Sequence, residues 1–309
     1  MRLRDVGEFG LIARIARAAG RPGGAVALGI GDDAAVLRVR PQEEVVVTTD
    51  AFVERVHFRF DRQSPRHVGR FAVAACLSDL AAMGARPLAF TAALAAPPRL
   101  PLKTADGLSA GLLEGARRHR CPLVGGNVTR ARETSLTLTA LGAVAKSRAL
   151  TRRGTRAGDR VLVTGVLGAS ALARLRADAG RGRLTRVPEP RLRAGRALAT
   201  LKGVVACIDV SDGLDADLGH LLGPSLACSI DPERLPVAPG FRAACRALGR
   251  DWRRVARAGG EDYELLFTVR PQAPGAAHFA RRLGLRVTEI GVARPGRPGR
   301  GGAGGFRHF

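Results

Sequence analysis

Eight carboxylates stand beside glycines or at the ends of apolar runs: Asp32, Asp33, Asp50, Asp79, Asp209, Asp212, Glu261 and Asp262. Asp209 and Asp212 close the apolar run 204–208 in Asp-Val-Ser-Asp-Gly, with Ser211 between them, and Gly213 leads into a helix-like segment. In a chain with 50 Lys and Arg against 27 Asp and Glu, and a formal charge of +23, acids at the mouths of buried strands are poorly explained as solubilising groups. Acids held close together repel unless a cation neutralises them. Hard oxygen donors without His or Cys suit Mg²⁺, which keeps waters and bridges phosphate oxygens. Phosphoryl transfer is the chemistry that most needs such a set. Any one motif also reads as ordinary turn chemistry, since Asp and Ser are common before Gly. Five such motifs in one chain weigh against that reading.

Other groups join the set. Thr48, Thr49 and Asp50 end a β-branched run and offer two hydroxyls and a carboxylate in succession. Asp79 lies among small apolar residues of a helical segment, so it either bonds locally or faces the same site as Asp50. A lone histidine such as His57 is more often structural than catalytic. The stretch 161–172 reads as strand, glycine turn and helix start, a geometry that can offer backbone N–H groups to phosphate, though the signal is common in α/β proteins.

The elements that must position these groups follow from periodicity. Apolar spacing predicts helices over 5–20, 65–83, 104–117, 191–202 and 239–248. Strands are expected over 44–49, 89–96, 135–144, 161–164, 204–209 and 227–230, with another leaving Glu261 and Asp262. Residues 122–130 read as a short strand that ends in the pair Gly125 and Gly126, followed by Asn127, Thr129 and Arg130. The polar connector 149–160 is the best boundary, giving domains 1–147 and 148–309. The fold class is α/β, α+β in part, with a sheet-and-helix first domain and a layered α/β second domain.

Composition bounds the rest. At 309 residues and 46% hydrophobic content the chain can bury two ordinary cores. No apolar stretch approaches the length of a membrane span, and the start of the chain is charged and amphipathic, so a soluble cytoplasmic protein without a membrane partner is expected. Five scattered cysteines suit buried thiols in a reducing compartment. The charge raises nucleic-acid binding, but the arginines form no single stripe and aromatics are only 4%, which disfavours it. The segment 294–305, rich in Arg, Pro and Gly, reads as a linker.

The motifs Gly-Ile-Gly-Asp-Asp-Ala-Ala-Val, Thr-Thr-Asp-Ala-Phe-Val-Glu-Arg-Val-His-Phe, Ser-Asp-Leu-Ala-Ala-Met-Gly-Ala, Asp-Val-Ser-Asp-Gly-Leu and Gly-Gly-Glu-Asp-Tyr-Glu-Leu together resemble the thiamine-monophosphate kinase family, in the superfamily of aminoimidazole ribonucleotide synthetase. The resemblance implies a homodimer whose first-domain sheet pairs across the interface, and Mg²⁺-dependent in-line transfer from ATP to thiamine monophosphate without a protein nucleophile. It implies Asp33, Thr48, Thr49, Asp50, Asp79, Asp209 and Asp212 as metal ligands. Gly126, Arg152 and Ser211 would contact ATP, and His57, Glu261 and Phe306 the thiamine. Asn127 stands where the family has an aspartate, and so would serve as a neutral metal ligand and an ATP contact. Phe71 replaces a usual lysine, Cys76 an asparagine and Arg55 a glycine. A divergent member with weakened chemistry is therefore the alternative, ahead of a basic nucleic-acid-binding protein.

Overall fold

A computed structural model describes residues 1–20 and 23–296. Phe306 lies outside the described residues. Packing divides the chain into two units, Met1–Leu80 with Arg86–Ser147, and Ala81–Ala85 with Arg148 onward.

The first unit runs α1 (Leu3–Ala19), β1 (Val26–Leu28), β2 (Val36–Leu37), β3 (Glu43–Val53), α2 (Pro65–Ala82, whose last two residues count with the second unit), β4 (Arg86–Ala96), α3 (Leu102–His119), β5 (Leu123–Arg130) and β6 (Ser135–Ala145). Its main sheet has the order β3-β6-β4-β5. Only β4 and β5 are parallel, and α3 supplies the crossover that a parallel pair requires. Ser64 caps α2, its hydroxyl accepting from the His67 N–H at 3.1 Å, and Pro65 opens the helix without wasting a donor. The two helices then approach at backbone distance. A β-carbon on Gly69 would collide with the Leu108 carbonyl, and one on Gly111 with the Arg66 carbonyl.

Two elements run further than their sequence suggests. Pairing with β6 carries β3 to Val53, so Thr48, Thr49 and Asp50 lie within the strand and not at its end. Pairing with β4 carries β5 through Gly126 and Asn127 to Arg130, so the glycine pair does not end the strand. Both extensions come from inter-strand hydrogen bonds, which outweigh the low strand preference of Asp, Gly and Asn.

The second unit runs β7 (Arg160–Thr164), α4 (Ala169–Asp178), α5 (Leu192–Leu198), β8 (Val204–Asp209), α6 (Leu214–Leu222), β9 (Leu226–Cys228), α7 (Phe241–Ala247), α8 (Trp252–Ala258), β10 (Leu265–Val269), α9 (Ala276–Leu283) and β11 (Val287–Pro295). The sheet order is β8-β10-β7-β11-β9, antiparallel at every step. Its strands are apolar on both faces. Val161, Val163, Ala206, Ile208 and Leu266 pack with Leu172, Leu214, Leu218 and Phe241. The alternate residues Leu162, Cys207, Leu265 and Phe267 pack with Leu198, Phe279 and Leu283. This period of two buries both faces under helices and makes the unit a three-layer α/β structure. No described helix is long and apolar enough to cross a membrane.

Candidate active site: carboxylates on two scaffolds

In the first unit, strand alternation selects among the expected ligands. Thr48 and Asp50 share one face of β3, and Thr48 donates its hydroxyl proton to Asp79 Oδ2 on α2. Thr49 has the opposite orientation. Its hydroxyl donates to the Leu138 carbonyl at 3.0 Å and lies 3.2 Å from the Thr139 hydroxyl, both on β6. Burial, and secondarily the Asp79 carboxylate, push the Asp50 carboxyl up to about 6. Cys76, one helical turn before Asp79, is buried, and its thiol is raised mainly by burial and then by the fields of Asp50 and Asp79. It is an inert filler beneath the acids.

Asp33 lies apart from this group, in the turn from β1 to β2, where its N–H donates to Asp32 Oδ1 at 2.8 Å. Asp32 and Asp33 line a cavity of about 470 Å³ with Gly126 and Asn127 of β5. Its walls are apolar: Phe9, Ile12 and Ile15 of α1, Leu108 and Leu112 of α3, Ala92 and Leu94 of β4. Gly126 is required where it stands, because its φ is 159° and a β-carbon would collide with the Ala92 carbonyl. His57 is held by the turn after β3, where its Nδ1 accepts from the Val53 N–H at 3.0 Å and its ring meets Phe52 edge-on.

In the second unit, Asp209 ends β8 and is 5% exposed. The turn that follows is held from two sides. Residues 260–264 provide one: Val210 N–H donates to the Glu264 carbonyl, Glu261 N–H to the Ser211 carbonyl, and Tyr263 N–H to the Val210 carbonyl, at 2.7–2.9 Å. A β-carbon on Gly260 would strike the Ser211 carbonyl, which explains the second glycine of Gly-Gly-Glu-Asp. The other side is Asp217 of α6, whose Oδ2 accepts from the N–H groups of Ser211, Asp212 and Gly213 at 3.0, 3.1 and 3.1 Å. Arg152 is exposed, next to Thr151, whose carbonyl accepts from the Cys207 N–H of β8.

Three acids that sequence spacing leaves alike have separate tasks. Glu261 is paired with Arg174 of α4. Asp262 caps α4, accepting from Gly168 N–H at 2.5 Å and Ser170 N–H at 3.1 Å; burial pushes its carboxyl up to about 7 against those two donors. Glu264 is fully buried and takes both nitrogens of the Arg191 fork, the Thr164 hydroxyl and the Val166 N–H. These bonds overturn the reading of the β7–α4 turn as a phosphate cradle. The N–H groups of Gly165 and Leu167 go to the Arg286 and Pro236 carbonyls, and those of Val166, Gly168 and Ser170 to Glu264 and Asp262.

Among the described residues, no three His, Cys, Asp or Glu side chains are gathered so as to hold a metal by themselves. Thr48, Asp50 and Asp79 form one set of hard oxygen donors, and Asp209 with Asp212 another. Mg²⁺ is typically held by one or two carboxylates and completed by substrate phosphates and water, so both sets fit it in donor chemistry. Two further cavities, of about 480 and 520 Å³, flank the Gly249–Asp251 turn and are lined by arginines including Arg246 and Arg250. None of the expected site residues lines either.

Residues 31–144 match the family described as AIR synthase related protein, N-terminal domain. The thiamine-monophosphate kinase of Escherichia coli (strain K12) is 38% identical over 299 residues, spanning 92% of this chain and 90% of its own. The chain belongs to the thiamine-monophosphate kinase family. The thiamine-monophosphate kinase structure from Stenotrophomonas maltophilia K279a superposes with a TM-score of 0.81 at 37% identity, covering 93% of this chain and 94% of that one. AaThiL complexed with AMPPCP and TMP gives a TM-score of 0.74 at 29% identity, covering 100% and 99%.

Against the thiamine-monophosphate kinase pattern, the departures acquire surroundings. Phe71 is buried and meets Phe52 edge-on at 6.2 Å, so an aromatic pair occupies the position where the resemblance leads one to expect a lysine. Arg55 keeps a glycine-like backbone, with φ at 68°, and its N–H donates to the Phe58 carbonyl. Asn127 is exposed on β5, beside the cavity that Asp33 also lines.

Proposed function

We propose that this protein phosphorylates thiamine monophosphate to thiamine diphosphate with ATP, using Mg²⁺. The observation that carries the reading is a pair of features in the first unit. One is an apolar cavity of about 470 Å³ with Asp33, Gly126 and Asn127 in its lining, and the other is the Thr48, Asp50 and Asp79 donor set. An apolar cavity suits a nucleobase, and exposed strand backbone at Gly126 allows close approach of a nucleotide.

Asp33, Asp50 and Asp79 of the first unit, and Asp209 and Asp212 of the second, hold Mg²⁺, with Thr48 and Asn127 as neutral oxygen ligands; Thr49, expected among them, is turned to the Leu138 carbonyl and Thr139 and drops out of the set. When bound, the metal neutralises phosphate charge and orients the transferring group. Ser211 and Arg152 contact ATP through side chains. The backbone of the Asp209–Gly213 turn takes no part, since its N–H groups from Val210 to Gly213 are all committed. His57 and Glu261 position thiamine, and Arg174 holds the Glu261 carboxylate in place. The same reaction needs no nucleophile from the protein.

A homodimer and a cytoplasmic location complete the proposal. β3 is the edge of its sheet and exposes Val45 (49%) and Val47 (60%), a surface suited to strand or sheet pairing. The cysteines are free thiols, and all but Cys228 are buried.

The test is formation of thiamine diphosphate from ATP and thiamine monophosphate as Mg²⁺ is varied. Folded protein that gives no product at millimolar Mg²⁺ would sink the reading. Asn127→Asp adds a charge to a metal ligand and is expected to lower the Mg²⁺ needed for half-maximal rate about 10-fold. An unchanged Mg²⁺ curve would remove Asn127 from the ligand set.

The pH dependence has a defined sign. With its carboxyl raised to about 6, Asp50 is protonated in the folded metal-free protein below that pH, and a proton competes with Mg²⁺ for it. The Mg²⁺ requirement is therefore expected to be flat above pH 7 and to climb by up to about tenfold per unit as pH falls below 6. In metal-free protein this acid makes stability fall as pH rises from 3.8 to about 6, because the folded state holds the proton that the unfolded state has lost. A Mg²⁺ requirement independent of pH between 5 and 7 would count against Asp50 as a ligand.

A further inference from the structure

The start of a helix attracts anions. Its first N–H groups lack partners within the helix, and its dipole places partial positive charge there. The start of α6 is such a place by sequence, with a Gly213 turn leading into Leu214. Yet the side chains presented on the turn are Asp209 and Asp212, which call for a cation. The carboxylate of Asp217 reconciles the two.

Asp217 is 2% exposed and reaches back along the axis of α6. A single oxygen, Oδ2, takes the three N–H groups of Ser211, Asp212 and Gly213. Its own N–H donates to the Gly213 carbonyl at 3.0 Å, which closes the first helical turn on the same loop. The donors that would otherwise greet a phosphate are thus consumed inside the fold. A negative charge also replaces the partial positive charge behind the turn. The three N–H donors favour the Asp217 anion, while the like charges of Asp209 and Asp212 repel it. A cation held by Asp209 and Asp212 would relieve that repulsion.

We propose that Asp217 is a positioning residue that converts the start of α6 from an anion site into a cation site, fixing Ser211 and Asp212 in place while supplying negative charge from behind. This rests on the reading that Asp209 and Asp212 hold Mg²⁺. It assigns Asp217 no contact with substrate.

The experiment is isothermal titration of Mn²⁺, as a probe for Mg²⁺, into the full chain and into Asp217→Asn, Asp217→Ala and Asp215→Asn, with circular dichroism melts on each. Asn keeps one oxygen able to accept the same three N–H groups and removes only the charge. Asp215→Asn removes a charge from the same helical turn, where Asp215 pairs with Arg257 at 2.9 Å, and serves as the control. Asp217→Asn is expected to fold and to bind Mn²⁺ about 10-fold or more weakly, as for loss of a partner that orients a metal ligand. Asp215→Asn is expected to bind like the parent. Asp217→Ala frees three N–H groups, so inorganic phosphate is expected to raise its melting temperature and to leave that of the parent unchanged. Should Asp217→Ala fail to fold, Asp217→Asn decides alone. Mn²⁺ affinity within twofold of the parent in folded Asp217→Asn, or an equal loss in Asp215→Asn, overturns the proposal. Because Mn²⁺ binding is read directly, it stands or falls separately from kinase turnover, whose absence in the parent would instead remove the proposed reaction.

Discussion

Asp50→Ala is expected to lower the rate of thiamine diphosphate formation by about 10³-fold at saturating substrates and Mg²⁺, about 4 kcal/mol of transition-state stabilisation. Asp79→Ala should cost as much. The two carboxylates lie on different elements, β3 and α2, and Thr48 bridges to Asp79 by a hydrogen bond. Removing either leaves the Thr48, Asp50 and Asp79 donor set with half its charge. Thr48→Val should cost far less, about tenfold, since a neutral bond that orients Asp79 is lost and no charge. The decisive feature is that activity and stability should move in opposite directions. Burial beside Asp79 makes ionised Asp50 unfavourable in metal-free protein at neutral pH, so Asp50→Asn should melt at or above the parent temperature while turning over almost nothing. Measured rates and melts on the same preparation check this. A rate within tenfold of the parent would exclude Asp50 from the chemistry, and a large drop in melting temperature would recast it as a structural acid.

The second large effect concerns folding. Arg191→Ala is expected to destabilise the second unit by about 3–5 kcal/mol, because Glu264 would be left as a fully buried charge without its guanidinium. Burial depresses the guanidinium in that pocket, but its bonds with Glu264 more than offset this, and its pKa is raised. Glu264 also ties the Thr164 hydroxyl and the Val166 N–H to β10, so its loss of charge compensation spreads to the β7–α4 turn. Urea unfolding of Arg191→Ala checks the magnitude. Arg191→Ala together with Glu264→Leu should recover part of the loss, since an apolar replacement of a whole buried pair is often neutral. A change below 1 kcal/mol for Arg191→Ala would show that Glu264 is adequately held by its other donors.

The sequence made the chemistry legible before the geometry. Asp50 and Asp212 stand beside a small residue or a glycine, and Asp79 and Asp209 beside apolar ones, a pattern that survives in one dimension. Strand 135–144 is equally plain, because its residues alternate between half-buried and buried, whereas the helix over 65–83 is buried on every side between 71 and 78. What spacing could not carry is direction. Thr48 and Thr49 look equivalent in the chain, and only pairing with β6 turns one toward Asp79 and the other toward Thr139. Nor could it show which acids use up backbone donors. Glu261, Asp262 and Glu264 belong to one short run, yet one pairs with Arg174, one caps α4 and one holds Arg191. Asp217 carries no motif signal of its own, although it sits four residues beyond Gly213. The only available signal was its period, which aims it back at the turn. The β7–α4 turn misled for the same reason: a glycine turn announces free N–H groups, and the carboxylates that occupy them lie about 100 residues away.

Alternation along β3 sets a limit on how this chain can change. Residues 43–53 pair with 145–135 without a bulge, and Thr48 and Asp50 reach Asp79 only in that phase. Inserting or deleting one residue ahead of Thr48 while keeping the ladder would turn Asp50 to the opposite face and bring Thr49 to the face of Asp79. Every side chain needed for the donor set would still be encoded, and the set would be gone. Substitution can therefore be sampled freely at exposed Val45 and Val47 as far as the donor set is concerned, whereas the length of that segment behaves as a frame in which the proposed ligands are written.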